Sequence, residues 1–568
     1  MAQKKSLPYG KKCLSLVLAL VTACSVAPAF AATPPDAGTI QHSVEQPPVT
    51  TPPKNNVEIE VKREEVPETT QQDQGPRIHV SAFRFTGQSI YSQEELQKLV
   101  KDSVDKDLTL PELQAIAQKI AEHFRQQGYL VANAYLPAQD VAAGTLEIIV
   151  VPGQYEGIDI RNKSRLSTEI VQSWLSNIKP GDYVKKDVLE RALLLMSDTS
   201  GVSIKATLAP GKTSGTTTLI VEIIDSHEIG GSFSLDNNGN YYTGEGRGRV
   251  SVDLNNISGK GDVLSFDDTY SGGGLNNAAI RYLLPIGREG ARIGLSYSTL
   301  HYNLGKEFKA LEFSGDSKVT GLFASYPLIR SRDANLFAQI GYDMSQLTDQ
   351  GFGIKMSDKR DNIFSVGLNG ASRDAKGLST YDLSIASGNL SFKGGTDIFG
   401  EPAEEIDRTT AKTAGRYTKA TLGFSRQQLL NDRLSFLFSI NGQVANKNLD
   451  SSQKLYLGGY SGVRAYAEGE APGDQGYILT GELRWNLPTP SLQLAAFFDK
   501  GHVTVNKNPW PGSGDNGRTL SGAGIGLLAS IHKDYTVRLD YAWKVNDEQD
   551  TAAPNRGGRW WLLGTQYF

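Results

Sequence analysis

The stretch Tyr535-Thr536-Val537-Arg538-Leu539-Asp540-Tyr541-Ala542-Trp543-Lys544-Val545 carries an apolar or aromatic side chain at every odd position and a mostly polar or charged one at every even position. Successive side chains of a β-strand point to opposite faces, so this segment is a strand with one greasy face and one wet face. The pattern repeats upstream. Tyr477, Leu479, Leu483, Trp485 and Leu487 alternate with Thr480, Glu482, Arg484 and Asn486. Leu434, Phe436, Phe438 and Ile440 alternate with Ser435, Ser439, Asn441 and Gln443, with Leu437 interrupting. From Ile229 to Phe568 we count 16 such segments, among them 361–372 and 490–500, and an even number closes an antiparallel barrel. Connections after even-numbered strands are short (285–290, 329–333, 373–377), and those after odd-numbered strands lengthen (389–415, 446–474, 501–519). The expected fold over 227–568 is therefore a membrane β-barrel of 16 antiparallel strands, patterned like those of bacterial outer membranes, with both ends on the periplasmic, short-turn side. A soluble sandwich or propeller would leave too much apolar surface in water.

The composition agrees. Only 39% of the 568 residues are apolar and the mean hydropathy is -0.33, which excludes a bundle of membrane helices, each needing about 20 consecutive apolar residues. A barrel strand shows lipid only every second side chain and escapes that exclusion. The 59 Gly, 23 Tyr and 20 Phe against 4 Met favour turns and strands. With 58 basic and 62 acidic residues the net charge is -4, so no general attraction for nucleic acid is expected.

Ahead of the barrel the chain changes character three times. Lys4, Lys5, Lys11 and Lys12 precede an apolar run from Leu14 to Ala23, and Ala29-Phe30-Ala31 offers small residues for cleavage, so 1–31 reads as a secretory signal peptide. Its removal takes the net charge from -4 to -8 and discards both cysteines, Cys13 and Cys24. Val21-Thr22-Ala23-Cys24 also resembles a lipobox, which leaves lipidation of Cys24 as the alternative to cleavage after Ala31. Residues 32–77 are rich in proline and poor in large apolar side chains, a periplasmic linker. No convincing helix is expected in 32–60, with 36–46 a weak candidate for a plug. Two βααββ units follow as an internal repeat over 78–152 and 153–226. In the first, Thr109 is the expected N-cap of a helix, Glu112 completes its capping box, and Gly128 stands where a left-handed residue closes it.

Signs of enzymatic chemistry are thin. The seven histidines show no metal-ligand spacing, no Gly-x-Ser-x-Gly elbow occurs, and Gly211-Lys212-Thr213 falls between strands with Ala206 in place of the first glycine of a phosphate loop. No catalytic residue, metal or cofactor is expected, and transport would run without ATP. Two local features stand out. Loop 446–474 contains Leu457-Gly458-Gly459-Tyr460-Ser461-Gly462-Val463-Arg464-Ala465-Tyr466, and the thirteenth strand ends in Phe497-Phe498-Asp499-Lys500-Gly501. Leu492, Leu494, Ala496 and Phe498 share the outer face, so Asp499 points into the lumen. Arg464 could reach Asp499 if the loop folds inward; otherwise it is a surface arginine and Asp499 a carboxylate in water.

The signal peptide, proline-rich linker, paired modules, 16 strands, Val463-Arg464-Ala465-Tyr466 in the sixth long-side loop and Phe498-Asp499-Lys500-Gly501 on strand 13 together resemble the two-partner secretion transporters. The resemblance spans 78–568. It implies that the two units are POTRA domains, and that a salt bridge joins Arg464 to Asp499. The family's loop motif usually has glycine where Ala465 stands. It also implies a function: capture and ATP-independent export of a large unfolded exoprotein with an N-terminal secretion domain, such as a haemolysin, an adhesin or a contact-dependent inhibition toxin. Outer-membrane lipid, lipopolysaccharide and, during biogenesis, the barrel assembly machinery are the further expected partners. An insertase of other barrels is the rival, with two modules rather than a longer array against it.

Overall fold

The computed structural model describes residues 34–44, 57–62, 76–140, 144–489, 491–532 and 534–568. The signal peptide with its alternative lipidation site at Cys24 lies outside the described residues. The first element is a helix, α1 (Ala37–Val44), followed by a short strand, β1 (Glu58–Val61).

Module 1 comprises β2 (Ile78–Val80), β3 (Ala82–Thr86), α2 (Gln93–Val100), β4 (Lys106–Leu108), α3 (Leu110–Gln126), β5 (Asn133–Tyr135) and β6 (Thr145–Val151). Both helices begin with a complete capping box, Ser92 with Glu95 and Thr109 with Glu112. The backbone and hydroxyl of Thr109 hold the Glu112 carboxyl below its ordinary range. The apolar stripe of α3, Leu113, Ile116, Ile120 and Phe124, packs on Phe83, Phe85 and Ile148 of the sheet β3-β6-β5. Module 2 comprises β7 (Gln154–Lys163), α4 (Thr168–Leu175), α5 (Lys186–Ser197), β8 (Val202–Pro210) and β9 (Thr216–Asp225), closed over Trp174, Leu193, Met196, Leu219 and Val221. Gly211-Lys212-Thr213 lies in the turn between β8 and β9.

The segment between signal and modules is more than a linker. β1 lies parallel to β8 and makes module 2 a four-stranded sheet in the order β1-β8-β9-β7, with Glu60 3.2 Å from the Lys205 ammonium. Ile59 and Val61 pack on the module core, which is why this alternating tetrapeptide extends the sheet.

The barrel is closed and its 16 strands are antiparallel. They are β10 (Ile229–Asp236), β11 (Arg247–Asn255), β12 (Val263–Ser271), β13 (Leu275–Ile286), β14 (Ala291–Asn303), β15 (Ser314–Arg330), β16 (Ala334–Gly351), β17 (Ile354–Asp374), β18 (Gly377–Gly394), β19 (Gly415–Leu429), β20 (Leu434–Ala445), β23 (Gln475–Asn486), β24 (Leu492–Thr504), β25 (Gly517–Ile531), β26 (Tyr535–Lys544) and β27 (Gly558–Tyr567). The small hairpin β21 (Leu455–Tyr456) and β22 (Pro472–Gly473) belongs to the loop between β20 and β23. A short helix, α6 (Ala403–Thr409), sits in the loop after β18. Tyr535, Val537, Leu539 and Trp543 are exposed on the outside, as are Phe436, Phe438, Leu483 and Trp485, so alternation sorts outer from lumen side chains. No helix among the described residues is long and apolar enough to cross a membrane.

Module 2 is seated on the short-turn rim. Arg330 on β15 donates to both carboxylate oxygens of Asp198, at 2.7 and 2.7 Å, and Arg292 donates to the Asp198 carbonyl at 2.7 Å. The opposite rim carries the longer loops.

Two expectations change. Strands β15 to β18 have 17, 18, 21 and 18 residues, well beyond the roughly 9–11 that a bilayer requires. Residues 354–360 read as loop because they are charged on both faces. Beyond the apolar band no face must be greasy, and the backbone ladder continues, pairing Asp358 with Thr348 and Lys359 with Leu347. The second change is α1, for which no convincing sequence signal exists. Eight residues containing glycine and β-branched side chains form a marginal helix in water. Inside the barrel, the Asp36 carboxylate accepts the Thr39 amide at 3.0 Å, Asp349 accepts the Ala37 amide at 2.7 Å, and Ile40 is fully buried.

The two faces of β11 provide a test of sidedness. Val250→Lys, near the middle of the strand and facing outward, should destabilise the barrel by about 2–4 kcal/mol. Ser251→Lys, one residue on and facing the lumen, should cost much less, as read by urea unfolding of the protein in liposomes.

Candidate functional site

The loop between β20 and β23 turns back into the lumen because its apolar residues find a core there. Leu457, Val463, Ala465, Tyr466 and Ala471 pack with Ile478, Phe497, Val503, Leu520 and Ala542 of the wall. At its apex the Val463 amide donates to the Leu457 carbonyl at 2.7 Å, and the Tyr466 amide to the Val463 carbonyl at 3.1 Å. This tight turn points Arg464 at the wall.

Arg464 meets Asp499 as a fork. Nε donates to one carboxylate oxygen at 2.8 Å and Nη2 to the other at 2.9 Å, while the Arg464 amide reaches the first at 3.2 Å. Nη1 continues to Glu482 at 2.9 Å and Asp540 at 3.2 Å. Arg538 donates to Glu482 at 2.8 Å and Asp540 at 2.9 Å, Arg484 donates to Glu482 at 2.7 Å, and Thr480 donates to Asp499 at 3.0 Å. Three arginines thus balance three carboxylates, and the carboxylates are at most 1% exposed. The guanidinium carbon of Arg464 lies 3.3 Å from the centroid of the Phe497 ring, and Trp561 of the last strand donates to the Arg464 carbonyl at 2.6 Å. Buried charges persist when each is paired and hydrogen-bonded, and both conditions hold here.

The remaining motif residues divide. Val463 is fully buried against the wall. Tyr466 donates its hydroxyl to Asn546 at 2.7 Å, with the Lys544 ammonium 4.5 Å above its ring. Gly501 leaves room for the loop, since a Cβ there would lie 2.8 Å from Leu457. Phe498 is not part of the site: it faces outward, and its neighbour Phe497 supplies the aromatic surface under Arg464. Ala465 is accommodated by the wall, because Gly522 on β25 stands opposite and a Cβ at Gly522 would sit 2.6 Å from that of Ala465.

Glu482, Arg484, Arg538 and Asp540 complete the site. Their lumen parity is legible in the alternation of their strands; their common height depends on inter-strand register, which a single chain pattern does not reveal.

A second contact ties α1 to the same loop. Ser451 donates to Asp36 at 2.6 Å, Tyr456 donates to Thr39 at 3.0 Å, and the His42 ring stacks on Tyr456 at 4.6 Å. Lys359 bridges Asp450 at 2.7 Å and Asp36 at 3.5 Å. The helix passes so close to the loop that a Cβ at Gly38 would collide with Ser451. Helix and loop together occupy part of the lumen. Among the described residues no group of three or more potential metal ligands is gathered.

A barrel plugged from within by its own loop and helix, with two βααββ modules in tandem and the second seated on one rim, defines a POTRA-bearing secretion pore. Residues 215–529 match the haemolysin secretion/activation protein family, ShlB/FhaC/HecB, and the chain belongs to that family of two-partner secretion transporters. Residues 78–153 match the POTRA domain of ShlB type. The chain is 32% identical over 531 residues to the heme/hemopexin transporter protein HuxB of Haemophilus influenzae (strain 86-028NP), covering 91% of this chain and 93% of that one. It is 23% identical over 455 residues to the outer membrane transporter CdiB of Dickeya dadantii, covering 76% and 78%. In fold it resembles the solved structure of CdiB from Escherichia coli, with a TM-score of 0.65, 19% identity and 100% of both chains covered.

The Ala465–Gly522 contact yields a double-mutant test. Gly522→Ala should loosen the loop, Ala465→Gly should leave it in place, and the double variant should recover. A coupling of about 0.5–3 kcal/mol is expected from thermal unfolding together with protease sensitivity of the loop.

Proposed function

We propose that this protein is an outer-membrane pore whose modules, in the periplasm, capture an unfolded partner exoprotein and pass it outward through the lumen without ATP. The observation that carries this reading is the Arg464–Asp499 fork. It closes the lumen with a non-covalent, charge-balanced contact, which can exchange between two states, rather than with the barrel wall itself. The sheets of the modules offer edges on which an extended passenger segment docks by main-chain hydrogen bonds, a sequence-tolerant mode of recognition. In module 2 the β8 edge is taken by β1, so a passenger strand docking there displaces part of the chain's own N-terminal segment.

The passenger is proposed to be a large exported protein with an N-terminal secretion domain, of the haemolysin, adhesin or contact-dependent inhibition kind. The identity to a protein named heme/hemopexin transporter adds a heme- or hemopexin-linked cargo to that set. Folding of the emerging passenger outside the cell biases its movement outward. Arg464 and Asp499 act as a holding element rather than as catalytic groups, and no enzymatic step is required. Lipid and lipopolysaccharide surround the barrel, and the barrel assembly machinery inserts it. Membership of a secretion family does not favour the insertase rival.

Arg464→Ala should sharply reduce release of the co-expressed passenger into the medium while the heat-modifiable mobility of the folded barrel is retained. Arg464→Lys keeps the charge without the fork and should be intermediate. Secretion unchanged in both variants would sink the proposed role.

A further inference from the structure

The lumen is filled unevenly. The sixth long-side loop is held against β23, β24, β26 and β27 through Glu482, Asp499, Asp540 and Trp561, and α1 lies across β14, β15 and β16. Along the remaining wall two cavities follow one another. One, of about 640 Å³, opens between module 2 and the short-turn rim and reaches Ser325, Gln339 and Asn369. The other, of about 690 Å³, lies between α1 and the wall formed by β15 to β20 and reaches Ser345, Ser365, Thr421 and Asn441. They share strands. Gln339 and Ser345 lie on one face of β16, roughly 20 Å apart at about 3.3 Å per residue, and Asn369 and Ser365 lie on one face of β17.

We propose that this wall, from Gln339 and Asn369 up to Ser365 and Thr421, is the lane along which the extended passenger crosses the barrel. The inference rests on the secretion reading and adds where in the lumen the passenger runs and what binds it. An extended chain presents an N–H and a C=O at nearly every residue, and each needs a partner on leaving bulk water. Hydroxyl and carboxamide side chains both donate and accept, so they serve any backbone register whatever the passenger's sequence. Two residues on these cavities have unused capacity: Ser345 Oγ and Asn369 Oδ1 have no hydrogen-bond partner among the described protein groups. Native structures leave few such atoms unpaired. The lane's charges, Asp343, Asp382 and Lys419, carry both signs; of the large apolar residues of β16 and β17, Tyr342, Phe364 and Val366 face outward, while Phe337 lines the first cavity and Ile363 the second. The second cavity is bounded by Gln41 and His42 of α1 and by Lys454 and Leu455 of the loop, so movement of either plug element widens this same lane.

Site-specific photo-crosslinking in the full-length protein tests the lane. A benzoylphenylalanine probe is placed at Gln339, Ser365 or Thr421, and for comparison at Gln493 on β24 or Thr536 on β26, which face the lumen on the other wall. The exported partner identified in the secretion assay is co-expressed carrying a disulfide-closed domain that stalls it in transit. Cross-links from the first three positions and none from the other two are expected. Equal cross-linking from both walls, cross-links from Gln493 and Thr536 alone, or normal secretion with no cross-link from the lane would overturn the proposal. Absence of any exported partner with the unlabelled protein is a different failure, that of the secretion reading itself, and takes the lane with it.

Discussion

A guanidinium removed from water must be neutralised where it lies, and the interior of this barrel is arranged around that requirement. Removing one partner from a buried, hydrogen-bonded charge group typically costs about 3–5 kcal/mol, because the charges left behind stay buried. Arg464 therefore confines the tip of a 29-residue connection, 446–474, to the height at which Asp499, Glu482 and Asp540 converge. Arg484 and Arg538 bring the group to balance, so the loop is bound by a network with no excess charge. The contact is strong when assembled and has no covalent element, which suits the role proposed for it, a plug that holds and also yields.

The other interior features follow from that anchoring. With its tip fixed on β23, β24 and β26, the loop presents Ser451 and Tyr456 to α1, and the helix is held between these and Asp349 on β16. The Arg464 carbonyl takes the indole N–H of Trp561 on β27. That strand closes the barrel against β10 over only five paired positions, from Ser232 with Tyr567 to Asp236 with Leu563. The loop thus supports from inside the shortest ladder in the wall. At the other rim, the Asp198–Arg330 pair seats module 2 beside the open side of the lumen.

Much of this is legible in the chain. Alternation in segments such as 535–545 identifies the strands and their outer faces, because lipid tolerates only apolar side chains and the period of a strand is two. Thr109 with Glu112 marks the start of α3, because a capping box satisfies backbone donors locally. Arg464 and Asp499 are recognisable as a pair through family resemblance, and Asp499 as a lumen group through parity. The upper halves of β15 to β18 escape detection, because outside the bilayer nothing demands a greasy face. The helix α1 escapes because its stability comes from Asp349, Ser451 and Tyr456, residues hundreds of positions away.

The sequence by itself determined the number of strands, the face each side chain takes, the two modules and the family, since these depend on local periodicity and short motifs. The tertiary structure alone decided which lumen residues stand at one height, that Arg464 lies over the Phe497 ring, that Gly522 makes room for Ala465, and along which wall of the lumen cavities remain. Register between strands and the return of a loop through a closed barrel are set by contacts among residues distant in the chain, and no periodic pattern within one segment encodes them.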